Sequence, residues 1–434
     1  MSSDAIALPV VGKQKKALPA RLAGASMVGT MLEWYDFSIY NTMAALIFNQ
    51  VFFPSVDPLA GVLLSFSTYA VGYISRPFGG VVFGRLGDKL GRRTVLVLTL
   101  VLMGITTAAI GLLPTYAAIG AWSPALLVAL RFVQGVALGG EWAGAVLLSV
   151  EHGRQDRRGL NGSWTQIGVH GGILLATAAI AVLTSTVSET DFLSWGWRVP
   201  FVASLALVGF GLWIRAGVEE TPMFKQLETS NRKLEAPIGE VLRHHSRNLL
   251  ISTGCRVGSD VLHGLVFIFS LTYVTTILQL PRELGLRAMV AGAVVGLLCA
   301  PFFGLLSDFV GRRIVYGSGA VLGMGFAFAF FPLMNTQSDL LIVLAVMVGI
   351  VIHGMMWGPQ ASFVAEQFST PVRYTGASLA YTFAGVVGGG FAPLLMAWLY
   401  QRFGATQRSP GMWLPPSASR SLRFCAPKKR PNGR

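Results

Sequence analysis

Charge is what this chain has least of. Only 12% of its 434 residues are Asp, Glu, Lys or Arg, while 53% are hydrophobic and the mean hydropathy is +0.59. Soluble domains carry about 25% charged residues, so a large water-exposed globule is excluded and lipid must solvate much of the surface. Cysteine is almost missing: Cys255, Cys299 and Cys425 are too scattered for a disulfide framework or a metal site. No GxxxxGK[ST] loop is present to cradle ATP phosphates, and neither HExxH nor GxSxG occurs, which argues against a nucleotide-driven machine and an intramembrane enzyme. No cofactor is expected.

Long apolar runs are what the chain has instead. Windows of about 19 to 25 apolar residues cross a hydrocarbon core ~30 Å thick at 1.5 Å per residue. Eleven such spans fall near 23–51, 59–83, 94–113, 124–150, 162–187, 197–215, 248–278, 288–306, 314–334, 340–365 and 375–401. They lack the alternation of a barrel strand, and in lipid every backbone polar group needs an internal partner, so they are predicted to be helices. The expected class is an all-α polytopic membrane protein. The first span holds Glu33 and Asp36 and is too long for a signal peptide, so it reads as an uncleaved helix.

With the N-terminus inside, twenty Lys and Arg fall on cytoplasmic segments, whereas the outer connections carry only Arg198, Arg282 and Arg287. The formal charge of +14 is therefore topological, and no nucleic-acid partner is needed to explain it. The organisation expected is a first transmembrane half at 1–215, a charged cytoplasmic linker at 216–247, a second half at 248–403 and a basic tail at 404–434.

An internal repeat supports that division. GRLGDKLGRR at 84–93 and GLLSDFVGRR at 304–313 match at Gly84/Gly304, Asp88/Asp308, Gly91/Gly311, Arg92/Arg312 and Arg93/Arg313, all offset by 220. Glu151 with Arg158 matches Glu366 with Arg373, offset by 215. Two like halves facing one another enclose a central cavity. In the loops, the glycines permit close helix approach, Asp88 is suited to a neighbouring helix N-terminus, and Arg92 is placed to pair with Glu151. Asp308, Arg312 and Glu366 would make the equivalent latch in the second half.

Charges inside the bilayer point to mechanism, because each costs about 2.5 to 3.5 kcal/mol at a helix centre and must face a partner or a cavity. Seven stand out: Glu33, Asp36, Arg76, Arg131, Glu141, Arg256 and Asp260. Counting from the span ends at 1.5 Å per residue puts Asp36 and Arg131 at one level, as partners. Two readings stand for them, a static pair that lets both be buried or a carboxylate that exchanges a proton, with Glu33 as the alternative carrier. Arg76 and Glu141 share a depth nearer the cytoplasm, as a pair or as contacts for an anionic substrate. Arg256 and Asp260, four apart, form a local ion pair or line a cavity. Trp34 and Tyr40 are candidates to stack on a small ring. His170, His263 and His353 read as packing residues.

The doubled GxxxDxxGRR loop and RFVQGVALGG at 131–140 resemble the major facilitator superfamily. Within it, EWYDF at 33–37, SRPFGG at 75–80, GGEWAGA at 139–145, SWGWRVPF at 194–201, EETPMF at 219–224, LPREL at 280–284 and RYTGA at 373–377 are similar to the metabolite:proton symporter family, its shikimate-transporter-like members above all. The resemblance covers roughly residues 20–404 and implies two six-helix-type halves. It implies proton-coupled transport of a small carboxylate metabolite by a monomer in a bacterial-type inner membrane, with Asp36 and Arg131 as the coupling pair. A facilitator without proton coupling, a symporter of a dicarboxylate, oxo-acid or betaine, and a membrane sensor that binds without transporting are the alternatives. After the eleventh span the sequence ATQRSPGMWLPPSASRSLRFCAPKKRPNGR departs from the family pattern. The expectation there is a missing twelfth helix, from a frameshift or truncation, with helices ten and eleven losing a packing neighbour.

Overall fold

The computed structural model describes residues 20–55, 58–90, 92–139, 141–216, 237–369 and 372–403. Helix dominates and no strand occurs among them. Every expected apolar span carries helix. Helix α1 is Ala20–Leu46; α2 (Pro58–Ile74) and α3 (Arg76–Leu90) share the second span; α4 is Arg92–Gly111; α5 (Trp122–Leu138) and α6 (Glu141–His152) share the fourth. Helices α7 (Arg158–Thr186) and α8 (Arg198–Ala216) complete the first half. The second half comprises α9 (Ser246–His263), α10 (Arg282–Val310), α11 (Arg312–Asn335), α12 (Asp339–Glu366), α13 (Arg373–Ala384) and α14 (Phe391–Phe403).

Two spans expected to be single are broken, and each break has a local cause. Pro77 has no N–H to give the carbonyl of Tyr73, so the second span turns at Ser75. The fourth is interrupted at Gly139, whose dihedrals are ordinary for a helix but whose missing side chain lets the chain close on α3, a Cβ there standing 2.1 Å from the carbonyl oxygen of Arg76. In the second half the irregularities are π-helical: α9 runs on through Gly264–Phe269 and Tyr273–Ile277, and α13 joins α14 through Gly385–Gly390. By length and apolarity alone six described helices can cross a membrane, or seven if Glu189–Gly196 and Arg198–Trp213, bent by 48°, form one span. The shortfall from eleven lies in the first half, where helices are broken or carry buried charge. The tail at 404–434, with the expectation about a twelfth helix, lies outside the described residues.

The outer surface is strongly apolar. Phe328 is 84% exposed, Phe309 75% and Leu250 72%, a surface that suits lipid and not water. Inside, α1 packs along α7, α4 along α8, and α10 and α11 against α12. The halves meet along two seams, α7 against α10 and α12, and α2 against Gly385–Gly390 and α14. The ends of α7, α11 and α12 that carry Arg158, Arg312 and Glu366 come together at the basic end of the bundle.

Small residues set the approach of α1 and α7. Gly168 and Gly172, one turn apart on α7, lie against the α1 backbone: a Cβ at either would stand 2.3 Å from a carbonyl oxygen, of Met27 and Met31 respectively. Close approach of this kind replaces hydrophobic burial as the source of helix association in lipid. Gly172→Val is expected to destabilise the detergent-solubilised protein by about 1–3 kcal/mol, read as a lowered melting temperature. Gly209→Val, on a surface of α8 with nothing within 4 Å of its Cβ position, should leave it nearly unchanged.

Candidate functional site

Six of the seven intramembrane charges have described side chains, and all six are buried: Glu33, Asp36, Arg76, Arg131, Arg256 and Asp260. The side chain of Glu141, at the start of α6, lies outside the described residues. Arg76 meets Glu33, with Nη2 3.8 Å from Oε1, and its guanidinium lies over the rings of Phe37 and Tyr73 at 4.5 and 4.3 Å. Glu33 thus faces a cation, one turn from the other acid of α1. Arg256 meets Asp260, Nε to Oδ2 at 3.2 Å, as their i,i+4 spacing predicts. It also lies 3.5 Å over the ring of Tyr381, which stacks on Trp142 of the first half at 4.0 Å.

Asp36 and Arg131 lie in the same region but do not form the direct ion pair expected of them. Two uncharged side chains stand between. Arg131 donates from Nη1 to Gln134 Oε1; Gln134 Nε2 donates to Thr107 Oγ1 at 2.6 Å; Thr107 Oγ1 donates to Asp36 Oδ2 at 2.8 Å. Depth counting along α1 and α5 predicts a direct contact, but rise per residue fixes height only and says nothing of what fills the gap between two side chains. Arg131 is further accommodated by aromatic faces, its guanidinium 3.8 Å over Tyr40 and 4.7 Å over Phe37, a cation–π arrangement that strengthens away from water.

Tyr40 was a candidate to stack on a ligand. It is fully buried, serves as the platform for Arg131, and its hydroxyl bonds to Thr68, so it is spoken for within the protein.

A small central cavity of about 20 Å³, water-sized in this closed arrangement, lies beside this network, lined by Trp34, Ser38, Asn41 and Thr42 of α1, Tyr69 of α2 and His263 of α9, with Phe37 and other apolar residues. None of the charged candidates lines it. Each of those charges already has a protein partner, as burial requires, and Phe37 contributes to both the cavity wall and the seats of Arg76 and Arg131. What the cavity presents is neutral: Trp34 Nε1, Asn41 Oδ1, Thr42 Oγ1 and His263 Nε2 are buried polar atoms with no protein partner. Only Trp34 of these was singled out from sequence as a ligand contact. Ser38, Asn41 and Thr42 sit at i, i+3 and i+4 on one helix face just beyond Asp36, a polar stripe in an apolar span that sequence alone offered as a signal.

At the basic end the second copy of the repeated loop makes a compact junction between the halves. Asp308 accepts from the backbone N–H groups of Gly159 at 2.8 Å and Leu160 at 3.0 Å, capping the N-terminus of α7 from across the seam. Arg312 binds Asp308 at 2.7 Å and Glu366 through both Nε and Nη2, at 3.3 and 3.2 Å. Gly304 lies against Gly159, and Gly311 adopts φ +103, a conformation that L side chains rarely take. Arg313 follows on the first turn of α11. Arg373 donates to the carbonyl of Phe368 and shares a surface cleft with Arg158 and Glu366. The first copy is not comparable: Gly91 lies outside the described residues, as do the surroundings of Gly84 and the side chains of Asp88, Arg92, Arg93 and Glu151.

Comparison with known proteins gives the same outline. The family profile described as Major Facilitator Superfamily matches residues 26–393. The Escherichia coli (strain K12) shikimate transporter is 41% identical over 397 residues, which is 91% of this chain and 91% of the relative. The proline/betaine transporter of Salmonella typhimurium is 34% identical over 399 residues, 90% of this chain and 78% of the relative. Among solved structures, the proton:xylose symporter XylE bound to 6-bromo-6-deoxy-D-glucose matches with a TM-score of 0.69 at 18% identity, covering 88% of this chain and 90% of that one. At that identity the likeness speaks for the fold.

The hydroxyl of Thr107 is the hinge of the charge network. It lies 2.8 Å from Asp36 Oδ2 and 2.9 Å from the carbonyl of Met103, and Gln134 leans on it as well. Thr107→Val is expected to destabilise the protein by about 1–3 kcal/mol at neutral and mildly acidic pH alike, because Asp36 in either protonation state and the amide of Gln134 lose their partner. Thr107→Ser should restore most of the loss. Thermal melts of the purified variants between pH 5 and 8 check both statements.

Proposed function

Because the chain belongs to the Major Facilitator Superfamily, we propose that it is a secondary active transporter that moves a small carboxylate-bearing metabolite, a shikimate-like hydroxylated acid in the first instance, together with a proton. It works by alternating access as a monomer in a bacterial inner membrane, with its N-terminus and basic loops on the cytoplasmic side. Residues 1–215 and 248–403 act as the moving halves, and 216–247 as their linker.

The observation that carries the proton assignment is the setting of Asp36. It is buried in the bundle, has no direct ion-pair partner among the described residues, and is held by a hydroxyl that can serve either protonation state. When Asp36 is ionised, Thr107 donates to it. When Asp36 is protonated, it donates to Thr107 Oγ1, and the threonine proton turns to the carbonyl of Met103. Both states keep their hydrogen bonds, which a carboxylate locked onto a guanidinium would not. Arg131 supports the ionised state at a distance, through Gln134 and across a low-dielectric interior. Glu33, seated against Arg76, is the partner of a structural charge pair and the weaker carrier.

The solute assignment rests on the shikimate-transporter relative and on the cavity. Once the halves part and the cavity widens, aromatic faces from Trp34, Phe37 and Tyr69 suit a small ring, and the unpartnered neutral polar atoms suit its hydroxyls. Arg76 and Arg256 are the cations available to a carboxylate once the halves part. A second reading, a betaine or related zwitterion, is favoured by one observation, the relatedness to proline/betaine transporters. In the closed position Asp308, Arg312 and Glu366 latch the basic end, so inward opening requires the cap on α7 to be broken. Gly84, Asp88, Gly91, Arg92, Arg93 and Glu151 take the corresponding part in the first half.

The test is uptake of labelled shikimate into vesicles with and without an inward proton gradient. The wild type is expected to accumulate the label only with the gradient, and Asp36→Asn to lose accumulation while retaining slow equilibration. Equilibration of the wild type that ignores the gradient would mean a facilitator, and accumulation of betaine in its place would mean the second solute class.

A further inference from the structure

Three histidines stand outside the network from Arg131 to Asp36. They come from three helices and both halves: His170 from α7, His263 from α9 and His353 from α12. Their rings gather, His263 to His353 at 5.3 Å and His170 to His353 at 6.2 Å between centroids. His170 and His353 are each 1% exposed. The packing around them is specific. His353 stacks on Trp357, His263 stacks on Phe267 and meets the edge of Trp34, and a Cβ at Gly296 of α10 would stand 2.0 Å from the His170 ring.

Polar satisfaction is missing where packing is complete. His170 Nδ1 faces the carbonyl of Gln166 at 3.4 Å, but His170 Nε2, His263 Nε2 and both ring nitrogens of His353 have no hydrogen-bond partner. A neutral imidazole carries one donor and one acceptor, and native interiors rarely leave both unmet. Among the described residues no group of three His, Cys, Asp or Glu is arranged to hold a metal ion. The charged group that faces the cluster is Arg256 of α9; α1 and α10 present Trp34 and Gly296, which do not titrate. His263 also lines the central cavity, so opening of the cavity brings water to the cluster.

We propose that His170, His263 and His353 together form a second proton-binding site, separate from Asp36, that accepts one proton when the cavity is open and surrenders it before the halves close. Rings this close repel a second charge, so the three titrate as a unit that holds a single proton. The positive charge of Arg256 adds to that repulsion. Closure over a charged cluster would bury an unpaired cation between α7, α9 and α12, and closure over a neutral one does not. The site therefore sets how readily the halves close at a given pH, whatever drives net transport. The proposal rests on the transporter reading but not on Asp36 as the coupling group.

The experiment is exchange of labelled for unlabelled shikimate in proteoliposomes at equal pH on both sides, where no gradient drives net movement. The wild-type exchange rate is expected to rise at least about threefold from pH 5 to pH 8, the range in which histidines titrate. His353→Gln and His263→Gln should each flatten that profile, while Asp36→Asn should keep it although it loses gradient-driven accumulation. Retention of the wild-type profile in both histidine variants overturns the proposal; its loss in Asp36→Asn as well makes the two sites one and overturns it too. If Asp36→Asn behaves as wild type throughout, the coupling assignment falls and the histidine site stands. Nitrogen NMR of imidazole-labelled protein over the same range gives a reading that needs no solute and no folded variant of His353. Cluster signals that move with pH support the site, and signals fixed at neutral-imidazole positions overturn it.

Discussion

A charge placed in the middle of a lipid-solvated bundle has to be met by something, and that requirement organises the interior of this protein. Arg76 is met by Glu33 and two aromatic faces, Arg256 by Asp260 and Tyr381, Arg131 by Gln134, Tyr40 and Phe37. The aromatic rings do more than fill space: they accept positive charge without adding a negative one, which leaves the carboxylate of Asp36 free of a guanidinium clamp. Arg76 and Arg131 share the ring of Phe37, and the breaks at Ser75 and Gly139 fall on the helices that hold Arg76 and lead away from Arg131.

Much of this was legible in the sequence. Eleven apolar windows located the helices, because the bilayer imposes a minimum length and forbids unpaired backbone. The offset of 220 between the two GRR loops located the repeat. The intramembrane charges announced themselves through their cost. What sequence does not reveal is the pairing around Asp36, although it does reveal Arg256 with Asp260 and Arg312 with Asp308 and Glu366. Span ends fix the height of a residue but not its azimuth, so they join Asp36 directly to Arg131 and give no sign of the two side chains between them, Thr107 and Gln134. Both are ordinary polar residues in apolar helices, visible only once α4 and α5 are placed side by side.

The histidines illustrate a different blind spot. A lone membrane histidine is most often a packing residue, and each of the three reads that way by itself. Their significance is relational, since 183 residues separate His170 from His353 and only the meeting of α7, α9 and α12 puts their rings together. The π-helical stretch that begins at Gly264 follows His263 directly, and such turns widen a helix locally, a feature frequent at functional positions.

The cap on α7 has one further consequence. Asp308 grips main-chain amides of Gly159 and Leu160, not their side chains. The identity of residue 160 is therefore irrelevant to the bond, whereas residue 308 must remain a short acid of the right reach. Burden of this kind is lopsided: residue 160 can drift in sequence while residue 308 cannot, and on α7 it is position 159 that is held, since a Cβ there would stand 2.2 Å from the carbonyl oxygen of Gly304.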